Sequence, residues 1–141
     1  MTQRTWDEAQ VGDPIGPLDF PITVARLVIA AAGNRDFSPL HHNDQYVRER
    51  GADDMYVNNM FLQGMWERAV RDYIGLGGTF RKLAGFRMVR FNTAGSTTTV
   101  KGEVTRKWRD GDVGLVEIRM WSENGGQVSV GPGSMTVTLP D

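Results

Sequence analysis

Residues 35–44 read RDFSPLHHND and residues 57–74 read VNNMFLQGMWERAVRDYI. The second segment decides the fold. Leu62, Met65, Trp66, Ala69, Val70 and Tyr73 recur at three- and four-residue spacing, which predicts one long amphipathic helix with a wide, bulky apolar stripe. Opposite the stripe, Glu67 with Arg71 and Arg68 with Asp72 are spaced for ion pairs. Asp53 and Asp54 bring negative charge ahead of the helix, toward its positive dipole end. Gly75, Gly77 and Gly78 end it.

Beyond the glycines the apolar period changes to two. Strands are predicted over residues 83–91, 96–108, 114–122 and 127–139, with turns at 92–95, 110–112 and 123–126. Ahead of the long helix, residues 1–19 form a leader whose 11–17 stretch holds too much Gly and Pro for helix. A short strand over 18–22 follows, then a helix from Val24 to Gly33 behind a Thr23 N-cap. One long helix and a four-strand antiparallel meander give a single α+β domain over residues 1–141. The stripe can be buried only on the concave face of a curved sheet, the arrangement called the hotdog fold.

Composition narrows the function classes. A net charge of −1, with 40% hydrophobic and 23% charged residues, describes an ordinary globular chain and gives no electrostatic case for nucleic acid. No run approaches a membrane span, and no signal pattern opens the chain, so no membrane partner is expected and a cytoplasmic location is the default. The absence of cysteine excludes disulfides and thiolate chemistry.

The polar elbow at 35–44 holds both histidines of the chain. Pro39 forbids an ordinary helix between Asp36 and His41, so both side chains can face a cavity from an irregular turn. That is the material of an acid/base site, whereas the plainer reading is a turn-capping Asp36 and a structural His41. His42 adjoins His41 and is expected to be exposed or bonded to the loop. No metal site is expected. The start of the long helix, Val57 to Met60, offers unpaired N–H groups to a developing anion, with the Asn59 N–H as the chosen donor. Asn58 and Asn59 also read as plain caps. Gly64 inside the helix costs about 0.8–1 kcal/mol relative to Ala, so it implies either room for a bulky ligand or a close strand. Met55, Phe61, Met65 and Trp66 read as core, and Met60 as lining near the helix start. No phosphate site is assigned to Arg87, Arg90 or Lys101.

The segment Asn34-Arg35-Asp36-Phe37-Ser38-Pro39-Leu40-His41 resembles the signature of the MaoC-like (R)-specific enoyl-CoA hydratases and dehydratases. Asp36, Pro39, Leu40 and His41 stand in register, while Ser38 replaces an Asn. Asn58-Asn59-Met60 stands where such proteins commonly read His-Gly-Met, and Gly64 where a Ser is frequent. The pattern is similar to the short MaoC-like subunits of steroid side-chain degradation. The resemblance implies that Asp36 and His41 act together on one water held between them. It implies hydration of a 2-enoyl-CoA to the (R)-3-hydroxyacyl-CoA, or the reverse, without cofactor. It places Asn58, Asn59, Met60 and Gly64 at the substrate. The implied partners are an acyl-CoA thioester and a second hotdog, in a homodimer or a heteromer. Two rivals stay open: a non-catalytic, acyl-thioester-binding subunit of a heteromeric dehydratase, and a hotdog thioesterase.

Overall fold

The computed structural model describes residues 3–141; Met1 and Thr2 of the expected leader lie outside them. Strands β1 (Pro14–Pro21), β2 (Thr79–Ala84), β3 (Thr97–Asp110), β4 (Val113–Asn124) and β5 (Gln127–Leu139) form one antiparallel sheet in the order β1-β3-β4-β5-β2. Helices α1 (Val24–Gly33), α2 (Asp44–Arg48) and α3 (Asn59–Ile74) complete the domain. Leu62, Met65, Trp66, Ala69, Val70 and Ile74 of α3 are buried against Val100, Val104, Val116, Ile118, Met120 and Val137 of the sheet. The fold is the expected hotdog, a long helix on the inner face of a bulged and hence curved sheet. Where the Trp66 indole enters the sheet, its N–H donates to the Ser122 hydroxyl at 2.8 Å, satisfying a polar atom inside the core.

Three predicted elements are corrected. The meander has three strands, β3 to β5; β2 pairs with β5 at the far edge and not with β3. The strand predicted over 83–91 begins earlier, at Thr79, and stops at Ala84. Gly85 turns the chain away at φ 65°, with the Gly133 backbone 3.1 Å from where its Cβ would stand. Phe86 and Met88 still pack on the core, which kept the alternating pattern alive past the strand's end. The first strand begins at Pro14, not 18, although it contains three prolines. It is an edge strand, where a missing N–H costs no ladder bond, and its register shifts between Ile15 and Leu18, around Gly16.

The ion-pair pattern on α3 is half right. Arg68 Nε meets Asp72 at 3.1 Å, but Arg71 donates to the carbonyls of Gly75 and Gly78, both at 2.8 Å, and Glu67 accepts from Gln63. A guanidinium gains more from the unpaired carbonyls at a helix end than from an exposed carboxylate. Asp53 and Asp54 precede α3 by more than a turn, too early to act on its dipole; the first turn holds no acid.

Candidate active site

The elbow is built by three successive caps. Thr23 Oγ1 accepts from the Arg26 N–H and opens α1. At the other end Asn34 closes the helix, and Arg35, not Gly33, takes the left-handed turn at φ 55°. The Arg35 N–H then bonds the Ala32 carbonyl and the Asp36 N–H the Ala31 carbonyl, at 3.1 and 2.8 Å, which reverses the chain and turns Asp36 inward. Ser38 caps a single 3-10 turn, Pro39–His41, with Pro39 at its first position where no N–H is needed. The turn drops His41 into the interior, at 5% exposure.

A second segment meets it from the other side. The Val57 N–H bonds the Asn92 carbonyl at 3.0 Å and the Ala94 N–H bonds the Met55 carbonyl at 2.8 Å, while the Tyr56 N–H reaches back to the Leu40 carbonyl at 3.3 Å. The Tyr56 carbonyl is thereby aimed at His41 Nδ1, 2.7 Å away. A carbonyl only accepts, so Nδ1 carries the hydrogen and Nε2 faces the other way. Nε2 lies 3.0 Å from Asp36 Oδ2. That distance corrects one expectation: the two side chains touch directly, with no room for a water between them. A water serving both must sit at the outer edge of the pair, where the Asp36 side chain is 37% exposed.

With Nδ1–H given to Tyr56, a neutral imidazole and an ionised carboxylate would set two acceptors face to face. The contact is a hydrogen bond when one proton lies between Nε2 and Oδ2. Asp36 has further donors: Asn58 Nδ2 gives to Oδ2 at 3.3 Å, and the Ser38 N–H to Oδ1 at 3.4 Å. Asn58 Oδ1 accepts from the Phe61 N–H at 2.9 Å, as the N-cap of α3, and from Asn34 Nδ2 at 3.4 Å. Among the described residues no acceptor pairs with the Asn59 or Met60 N–H. Burial, then the nearby Tyr46, push the Tyr56 hydroxyl above its ordinary range, so it stays neutral.

Asp36, His41, Asn58, Asn59 and Met60 line one open cleft of about 510 Å³. Gly64 does not; it lies on an exposed face of α3, and nothing stands within 4 Å of where its Cβ would be, so the close-strand explanation fails. His42 is turned away, its Nε2 3.4 Å from the Phe37 carbonyl. Of the methionines and aromatics, Met55, Met65 and Trp66 are core, Phe61 packs against it, and Met60 is 63% exposed at the cleft. Sequence reasoning missed Asn34, Leu40, the Tyr56 carbonyl and Met88, which also line the cleft. A carbonyl leaves no trace in residue type, and Met88 arrives from the loop misread as strand.

No family model matches the chain. It is 29% identical, over 98 residues, to the 3-oxo-4,17-pregnadiene-20-carboxyl-CoA hydratase beta subunit of Mycobacterium tuberculosis, a match covering 70% of this chain and 72% of that one. A chain of the ChsH1-ChsH2 complex from M. tuberculosis superposes with a TM-score of 0.83 at 25% identity, covering 92% of this chain and 98% of that one. The unliganded R-hydratase PhaJ1 of Pseudomonas aeruginosa gives 0.86 at 20% identity, covering 97% and 86%. The chain is thus a hotdog protein similar to the MaoC-like (R)-hydratases, and similar among them to the beta subunit of a pregnadiene-carboxyl-CoA hydratase.

Proposed function

We propose that the chain hydrates a 2-enoyl-CoA thioester to the (R)-3-hydroxyacyl-CoA, or runs the reverse dehydration, through Asp36 and His41. The observation that carries the reading is the 3.0 Å contact between Asp36 Oδ2 and His41 Nε2, in one cleft with the amides that begin α3 and that find no acceptor among the described residues. Hydration breaks one O–H bond of water, forms C3–OH and delivers a proton to C2. When the pair holds one proton between its members, it can give that proton to C2 while taking another from the incoming water. The enolate charge that grows on the thioester oxygen needs donors fixed in advance, and the Asn59 N–H at the positive end of α3 suits that task. The (R) stereochemistry rests on similarity to the R-hydratases. Neither step asks for a metal or redox cofactor.

The cleft is open, with Met60 exposed in it and Phe37, next to Asp36, 74% exposed. Coverage by a second hotdog would exclude water from an acyl chain there, and the similarity to the ChsH1-ChsH2 complex supports a heteromer with a related subunit. Purified protein, alone and with such a subunit, is to be given short and steroid-like enoyl-CoAs, and absorbance of the conjugated thioester followed. Its loss without release of free CoA supports hydration. Release of CoA with the free acid identifies a thioesterase, and silence in both arms favours a non-catalytic subunit.

A further inference from the structure

We infer that Asn58 is a positioning residue for the Asp36–His41 pair, and that its two functional groups do separable work. This rests on the hydratase reading and deepens it. Asn58 is 7% exposed, and both ends of its side-chain amide are bonded. Its Oδ1 takes the Phe61 N–H and so starts α3; its Nδ2 donates at 3.3 Å to Asp36 Oδ2, the same oxygen that His41 Nε2 meets.

The consequence is geometric. A carboxylate on a turn keeps rotational freedom about its own Cα–Cβ and Cβ–Cγ bonds, and Asp36 is the more exposed member of the pair. His41 is fixed by the Tyr56 carbonyl, but beyond its contact with His41 itself Asp36 has only the long bond from the Ser38 N–H, at 3.4 Å. The Asn58 amide supplies the second hold. Because the same side chain caps α3, it ties the carboxylate to the helix end that carries the Asn59 N–H. Asn34 closes the arrangement, its Nδ2 reaching Asn58 Oδ1 at 3.4 Å from the end of α1. The acid/base pair and the proposed oxyanion donor are thereby set in one frame by one amide.

Ser and Asp are as good as Asn at an N-cap but have no amide to give to Asp36. Asn58→Ser therefore separates the two tasks. The variant is expected to unfold within about 3 °C of wild type. Asn58→Ser is expected to lower kcat about tenfold or more with KM changed less than twofold, the mark of lost alignment and not of lost binding. A readout independent of turnover comes from the two histidines: in the NMR spectrum of Asn58→Ser the His41 ring signals should shift while those of His42 stay in place. An unmoved His41, or a kcat equal to wild type, overturns the positioning role. If wild type hydrates no enoyl-CoA, the proposed function fails while the His41 ring signals still decide this inference.

Discussion

Replacing Asn92 by Ala should damage the fold more than any single exposed change, and the size of the loss can be built from its contacts. Asn92 is fully buried, and its Oδ1 accepts from Thr98 Oγ1 at 2.8 Å, Ser129 Oγ at 2.9 Å and Asn124 Nδ2 at 3.4 Å. Thr98 is itself fully buried, and no other acceptor receives its hydroxyl among the described residues, so the substitution orphans it at about 1–3 kcal/mol. Ser129 can turn to the Ser122 carbonyl, 3.4 Å away, and loses only a net bond of about 0.5–1.5 kcal/mol. About 3 kcal/mol in all is expected. For a 141-residue chain, unfolding entropy of about 2.1 cal/mol/K per residue converts this to roughly 10 °C in Tm. Urea denaturation and calorimetry measure it. The variant Asn92→Ala with Thr98→Val and Ser129→Ala removes donors along with the acceptor and should regain about half of the loss. A single-variant shift below ~3 °C, or no recovery in the triple variant, refutes the reasoning.

Other outcomes follow from single positions. Gly64→Ala should stabilise α3 by about 0.8–1 kcal/mol in urea titration, since its Cβ meets nothing within 4 Å. Gly102→Ala should destabilise by about 1–3 kcal/mol, because its Cβ would stand 2.5 Å from Met120 Sδ and 2.7 Å from the Arg119 carbonyl; a thermal melt checks it. At Asp13 burial alone would raise the carboxyl, but the Tyr73 hydroxyl at 2.6 Å, the Gln10 N–H and Arg4 outweigh it and hold it below its ordinary range. A depressed folded value means stability present above the unfolded carboxyl pKa of about 3.9 and lost as pH falls through the folded one. The Tm deficit of Asp13→Asn should thus be full at pH 7 and shrink below about pH 4.

How far the sequence reached depends on what each residue's type encodes. The α3 stripe was legible because Leu62, Met65, Trp66, Ala69 and Val70 must share one buried face, and they do. β3 to β5 were legible from alternation between glycine turns. β2 was not, because past Ala84 the chain leaves the ladder and touches β5 again only through the single bridge of Met88 to Val130, while Phe86 and Met88 still reach the core and keep a strand-like pattern. Within the site, Pro39 announced the turn that buries His41. The left-handed Arg35 and the Tyr56 carbonyl that fixes the imidazole are backbone facts, which side-chain identity does not record. The bond from Asn58 to Asp36 spans 22 positions and exists only once α1 and α3 meet.

The claim that Asp36 and His41 work as one unit is tested most directly by a double-mutant cycle on enoyl-CoA hydration, with Asp36→Asn, His41→Ala and the pair together. Each single change should lower kcat by about 10²–10⁴, and the double variant should be no slower than the worse single one. Losses that multiply, or singles that keep near-wild-type rates, would contradict it.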